Sequence, residues 1–196
     1  MDIRGLLLCG GASVRFGRDK LLEPIGEARE PMAVVSARTI VAALGRVLAV
    51  TRSGRSDLRA LLEAAGCVVL ETDRAREGLG ASLAAGVEAS AEAEGWIVAL
   101  ADMPFIREET MVSVRSALAE GAPIAAPVDH ASGHRGHPVG FDATLRDELL
   151  ALRGDEGARS VVQRHAASVR LILVNDPGIV RDIDHPWDLA GRSRRS

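Results

Sequence analysis

The chain contains no tyrosine, and aromatic residues make up only 3% of its 196 positions. Platforms for stacking the bases of a nucleic acid are therefore scarce. A basic stripe is missing too: 24 Lys and Arg face 27 Asp and Glu, for a net charge of -3. The one basic run, residues 192–196 "RSRRS", reads as a disordered, solvated tail. No nucleic-acid partner is expected. Cysteine is limited to Cys9 and Cys67, each inside an apolar run and without metal-ligand spacing. That argues against a disulfide framework and suits a reducing compartment. No stretch approaches the roughly 20 apolar residues of a membrane span. The opening "MDIRGLLLCGG" is too short in apolar length for a signal peptide and lacks a small-residue cleavage site. A cytoplasmic protein without a membrane partner is the expectation.

Several chemical signatures are also missing. The P-loop spacing fails, because Gly17 is followed by Arg18 and no Ser or Thr follows Lys20. The dinucleotide fingerprint fails at "GLGASL", where Leu83 stands in place of the third glycine. There is no Gly-x-Ser-x-Gly elbow, no Cys–His nucleophile pairing and no His-Glu-x-x-His. His130, His134 and His137 cluster in "HASGHRGHPVGF", but without cysteine or finger spacing.

What is present is an alternation. Apolar runs at residues 3–9, 46–51, 67–72, 96–101 and 123–128 read as strands. Helical patterns at 30–44, 56–65, 79–93 and 107–120 separate them. Pro31 suits the first of these helices' opening turn, Gly45 its end, and Ser56 the cap of the next. Strands without polar alternation are covered on both faces. The expected fold is α/β, three layers around a mostly parallel sheet. After residue 128 the rhythm breaks into a polar, glycine-rich loop or hairpin, two helices and a last strand over 169–175. With 47% hydrophobic residues and no linker, one domain over 1–191 is the economical reading.

In open α/β sheets ligands bind beyond the carboxyl ends of the strands. Gly10 and Gly11 lie at such an end, where missing side chains let backbone N–H groups approach a phosphate. Arg15 and Lys20 follow as cations. A phosphate cradle and a plain surface loop both fit this pattern. Asp102 follows the 96–101 strand directly; it reads either as a Mg²⁺ ligand or as a helix cap. Asp182 and Asp184 in "VRDIDHPWDL" read either as a second metal ligand or, with His185 and Pro186, as a helix start. "EGLGASLAAGV" opens a helix whose N-terminus favours anions, with Ser82 able to bond a base or ribose; tight packing explains its small residues equally well. Arg135 and His137 suit a loop that reads a polar acceptor, and Arg159 in "GDEGARSV" suits an acidic acceptor group or a helix junction.

"LLLCGGASVRFGRDKLL" resembles the signature of the nucleotidyltransferases of molybdenum cofactor biosynthesis, Leu-Ala-[Ala/Gly]-Gly-x-Ser-x-Arg-[Met/Phe]-Gly-x-x-Lys. "GLGASLAAGV", "ADMPFI", "RGHPVGF", "GDEGARSVV" and "DIDHPWDL" follow in the family's order, and the last three point to its cytidylyltransferase branch. The resemblance implies the nucleotide-diphospho-sugar transferase fold. It implies an enzyme that uses Mg²⁺ and moves a nucleoside monophosphate, CMP in preference, from CTP or GTP to the terminal phosphate of a molybdopterin, releasing pyrophosphate. A molybdoenzyme or its chaperone would be a partner. Carried over by position, Cys9, Gly10, Gly11, Ser13, Arg15 and Lys20 hold the nucleotide, and Gly80 and Ser82 line the base and ribose pocket. Arg15, Lys20 and Asp102 act in catalysis, and Asp102 and Asp184 hold the metal. His137, Pro138, Asp155 and Arg159 face the acceptor. The departure is Cys9-Gly10-Gly11, where the cytidylyltransferase branch has Ala-Ala-Gly and the guanylyltransferase branch Ala-Gly-Gly; glycine at position 10 would leave room for a purine. Rival readings are a nucleotidyltransferase for another small phosphate and a non-catalytic nucleotide-binding partner. A phosphate nucleophile is already ionised at neutral pH, so positioning and charge neutralisation suffice and no base triad is needed.

Overall fold

The structure, a computed structural model, describes residues 1–10, 16 and 19–190. The chain runs β1 (Ile3–Leu8), β2 (Pro24–Ile25), β3 (Glu30–Pro31), α1 (Met32–Leu44), β4 (Val47–Thr51), α2 (Ser56–Ala64) and β5 (Val68–Glu71). It continues through α3 (Leu79–Glu88), β6 (Gly95–Leu100), α4 (Glu108–Ala119), β7 (Ile124–Asp129), β8 (Val139–Asp142), α5 (Arg146–Leu150), α6 (Arg159–Arg164) and β9 (Val169–Val174). Short 3-10 turns join several of these.

Seven strands form one sheet in the order β5-β4-β1-β6-β8-β7-β9. All run parallel except β8, which pairs antiparallel with β6 and β7. Side chains in β1 alternate between the two faces. Leu7 packs with Ala49, Ile40, Leu58 and Met111 beneath α1, α2 and α4. Leu6 and Leu8 pack with Leu83, Trp96, Phe141 and Leu149 beneath α3 and α5. The result is the expected three layers with a mostly parallel sheet. The small residues of α3 have a packing role: a Cβ on Gly86 would lie 3.1 Å from Val50 and 3.3 Å from Leu6, so glycine lets the helix lie close on the sheet.

Local differences from the sequence expectation have physical causes. Glu30 and Pro31 form a two-stranded ribbon with β2, and α1 starts at Met32 with Pro31 as its cap residue. Arg55, not Ser56, holds the cap position of α2. The α3 helix ends at Glu88 rather than at residue 93. Buried Ser90 donates to the Gly86 carbonyl (2.6 Å) and accepts from Trp96 Nε1 (2.9 Å), which turns the chain toward β6. The glycine-rich segment after β7 returns as a wide hairpin, and its second arm, β8, is inserted between β6 and β7.

Candidate active site

The carboxyl ends of β1, β4 and β6 lie side by side, with Leu8 paired to both Val50 and Leu100. Beyond β6 the chain turns sharply, as Met103 N–H donates to Leu100 O at 3.2 Å and Ser36 Oγ on α1 donates to Ala101 O at 2.9 Å. Asp102 projects from this turn. It does not cap α4, which begins at Glu108.

Lys20 meets it from a 3-10 turn, Lys20–Leu22, whose cap is Asp19: its Oδ1 accepts from Leu21 N–H at 3.2 Å. Lys20 Nζ donates to Asp102 Oδ2 at 2.8 Å and to Asp184 Oδ1 at 2.9 Å. The Lys20 side chain is only 8% exposed. Burial by itself would push its ammonium down, but Asp102 first and Asp184 with it outweigh that and hold the group above its ordinary value. Residues 164 positions apart thus converge on a single cation.

Asp184 reaches this point because its neighbour is anchored. Ile183 N–H donates to the Asp102 carbonyl at 3.0 Å, and the Ile183 side chain is fully buried with Phe16, Ile25 and Met32. Asp182 stays exposed. The expected helix-start role for Asp184 or His185 falls instead to Asp188. Its Oδ2 accepts from the N–H groups of Asp184 (3.0 Å) and His185 (2.7 Å), leaving the Asp184 carboxylate for Lys20. Two glycines let the supporting segments touch. A Cβ on Gly136 would lie 1.9 Å from Ile179 O, and one on Gly178 2.1 Å from Phe105 O.

Of the residues assigned to the nucleotide, Gly11, Ser13 and Arg15 lie outside the described residues. Three others are corrected in their role. The Cys9 thiol points into the core among Leu7, Ala33 and Ala49, where burial raises its pKa strongly. Ser82 is fully buried, and its hydroxyl donates to Gly78 O at 2.8 Å rather than to a base or ribose. Gly80 is covered by the 153–157 loop, its N–H donating to Gly154 O at 2.8 Å. The α3 N-terminus holds the protein's own anion, since Asp155 Oδ1 accepts from Leu79 N–H at 3.3 Å.

Gly10 also gains a different reason. A Cβ there would sit 2.8 Å from Ser82 Oγ and 3.2 Å from Ala75 O. Glycine at this position therefore has a packing reason of its own, against Ser82 and Ala75. Gly10→Ala is therefore expected to cost about 1–3 kcal/mol, as overpacking does. Combined with Ser82→Ala, part of that loss should return, about 1 kcal/mol of coupling. Denaturant melts of the two single variants and the double variant measure it; strict additivity would remove the clash as the cause.

Between β6, β8, α3 and α6 lies a cavity of about 630 Å³. Its floor is apolar, from Leu83, Val98, Val139 and Phe141, and its rim carries Arg135, His137, Asp155 and Arg159. Pro138 is buried behind the wall and does not line it. Burial lowers the His137 pKa, against the opposing pull of the Val98 backbone, Asp102 and Asp182. Its Nδ1 is buried without a hydrogen-bond partner. A neutral buried histidine binds fewer protons than the same residue unfolded. Its contribution is full above the unfolded pKa of about 6.5 and is lost as pH falls through the lower folded value. Melting temperature should drop as pH falls from above the unfolded value of about 6.5 through the lower folded one, and His137→Gln should flatten that slope; an unchanged slope would assign it to other groups.

Sequence reasoning missed Arg55, whose side chain is 12% exposed and reaches Asp19 and the Cys9 carbonyl. The available signal was "TRSGR", two arginines directly behind a buried strand. Asp19 and Asp188 were missed as well, because short turn caps leave no periodic trace.

Asp102 and Asp184 together suit a divalent cation. Hard cations such as Mg²⁺ are held by one or two carboxylates, with substrate phosphates and water completing the sphere. Among the described residues no cluster of three or more His, Cys, Asp or Glu forms a closed metal cage, and no helix is long and apolar enough to cross a membrane.

The MobA-like NTP transferase domain family matches residues 5–169. Purine catabolism protein PucB of Bacillus subtilis (strain 168) is 28% identical over 202 residues, covering 96% of each chain. The crystal structure of Rv0371c from Mycobacterium tuberculosis H37Rv superposes with a TM-score of 0.80 at 26% identity, covering 97% of both chains. Its manganese complex gives a TM-score of 0.77 at 23% identity, covering 98% of this chain and 97% of that one. A nucleotidyl transferase from Methanothermobacter, Mth528, gives 0.78 at 21% identity, covering 96% and 94%. The family match spans most of the chain, and the structural neighbours share its fold along nearly their whole length: the chain belongs to the MobA-like NTP transferase domain family and is a nucleotidyltransferase.

Proposed function

We propose that this nucleotidyltransferase moves CMP from CTP to the terminal phosphate of a molybdenum-loaded molybdopterin and releases pyrophosphate, acting with Mg²⁺ as a cytoplasmic enzyme on one domain over 1–191. The observation that carries the reading is the convergence of Asp102, Asp184 and Lys20 just beyond β6, the strand whose Leu100 also lines a largely apolar cavity together with Arg135 and Arg159. A flat, uncharged ring system with an anionic tail suits such a cavity: the floor takes the ring and the arginines take the phosphate.

In this reading an acceptor phosphate oxygen attacks the α-phosphorus, a new P–O bond forms, and the bond to the β-phosphate oxygen breaks. Pyrophosphate carries away the charge, and no proton has to be removed from the nucleophile. Asp102 and Asp184 would hold Mg²⁺, which neutralises phosphate charge and stabilises the leaving group when bound. Lys20 and Arg15 bring positive charge to the triphosphate. His137 and Arg159 orient the acceptor. A molybdoenzyme or its chaperone would then receive the dinucleotide product.

The test is pyrophosphate release with each of the four ribonucleoside triphosphates, Mg²⁺ and molybdenum-loaded molybdopterin, beside a control without acceptor. Acceptor-dependent release with CTP alone supports the reading. Release with GTP alone changes the base, and release only with a different phosphate acceptor changes the substrate class.

A further inference from the structure

We propose that Arg55 is a positioning residue that ties the carboxyl end of β1 to the turn carrying Lys20. The inference rests on the reading above in one respect, that Lys20 serves the triphosphate. Arg55 stands at the start of α2, yet its side chain turns back under the neighbouring strand end. Its NH1 points to the Cys9 carbonyl at 3.5 Å, the outer limit of a hydrogen bond, and its NH2 pairs with Asp19 Oδ2.

Cys9 directly follows β1, and Asp19 directly precedes the Lys20 turn. Cys9 is itself fixed to β4, its N–H donating to Val50 O at 2.8 Å. Asp19 uses its second oxygen, Oδ1, to accept from Leu21 N–H, and its carbonyl accepts from Leu22 N–H at 3.2 Å. One carboxylate therefore faces the guanidinium with one oxygen and caps the Lys20 turn with the other. Moving Asp19 would move Lys20, and with it the contacts to Asp102 and Asp184.

The choice of arginine follows from its chemistry. A guanidinium keeps its charge when buried and presents donors in a rigid fork, so it fixes two acceptors in one plane. Lysine would keep the charge but lose the second donor direction. Buried charge without its partner is costly, so Arg55 and Asp19 act as a unit.

The experiment compares the wild-type chain with Arg55→Lys, Arg55→Gln, Asp19→Asn and the Arg55→Gln/Asp19→Asn double variant. Amide hydrogen exchange is read over residues 19–23 and over β6, and steady-state kinetics are read with CTP, Mg²⁺ and acceptor. Expected for Arg55→Gln is exchange about tenfold faster at 19–23 with β6 unchanged, and a nucleotide KM raised about tenfold with kcat within about threefold, as for a lost charge-assisted bond. Arg55→Lys should recover part of both, and the double variant should be no worse than either single one. Exchange at 19–23 equal to wild type overturns the proposal. So does acceleration spread equally over β6, which would make Arg55 a general brace of the fold. If no nucleotide is turned over by the wild-type chain, the functional reading fails while the exchange comparison still decides the tie.

Discussion

Replacing Asp102 by asparagine is expected to lower kcat/KM for nucleotidyl transfer by about a thousandfold, the scale on which loss of a charge-stabilising group acts at a reacting phosphate. Asparagine has nearly the same shape, so packing at the β6 end is kept. The main-chain contacts do not involve the carboxylate: the Asp102 carbonyl still accepts from Ile183 N–H. What disappears is one of the two carboxylate charges facing Lys20, and with it one of the two proposed metal ligands. Lys20, 8% exposed, retains Asp184 as partner. The stability loss is therefore about 1–2 kcal/mol, below that of a fully orphaned buried charge. Asp184→Asn follows with a smaller loss of activity, since that carboxylate is 39% exposed and water can replace part of its role. Asp182→Asn leaves activity unchanged, because Asp182 faces solvent on the other side of Ile183. Pyrophosphate release and thermal melts on the three variants check this ordering. Full activity in Asp102→Asn, or equal loss in Asp182→Asn, would sink the site.

The second large effect is on stability. Gly136→Ala is expected to cost about 3–5 kcal/mol, in the range reserved for forced steric conflict in a packed region. The added methyl would lie 1.9 Å from Ile179 O and 2.5 Å from its carbonyl carbon, both main-chain atoms with no rotamer to turn. The contact joins the segment before His137, whose N–H donates to the same carbonyl at 2.9 Å, to the turn that leads into Asp182–Asp184. Relief of the clash would pull that turn away and shift Asp184 from Lys20, so activity falls with stability. Gly133→Ala is the comparison. Gly133 has φ +70° but nothing within 4 Å of an added Cβ, so only backbone strain of about 1–2 kcal/mol applies. Denaturant unfolding of both variants measures the difference; equal costs would mean that the close approach is not what selects glycine at 136.

Much of this was legible in advance, for definable reasons. Uninterrupted apolar runs fixed the buried strands, because a sheet covered on both faces leaves no polar alternation to misread. Asp102 was legible because it follows such a strand directly. Asp184 was only half legible: whether it or Asp182 faces inward depends on Ile183 being buried, a tertiary fact. The roles of Ser82 and Gly80 misled because small residues at a helix start serve close packing and ligand approach alike. Here a loop more than seventy residues away fills that helix end with Asp155. Arg55 was invisible as a site residue, since nothing local tells which way a side chain at a helix start will turn.

The separation of Lys20 from Asp184 also bears on how the molecule comes into being. Closing so long a loop is entropically slow compared with forming the local strand–helix units. The β1, β4 and β5 units with their helices can assemble while the chain is being made. The Asp102–Lys20 contact can follow once β6 has docked. The acidic pair is completed only after residue 184 has been synthesised and Ile183 has seated against Asp102. In the proposed reading, transfer therefore waits on the last part of the fold, and a chain made only through β6 would hold Lys20 and Asp102 without Asp184.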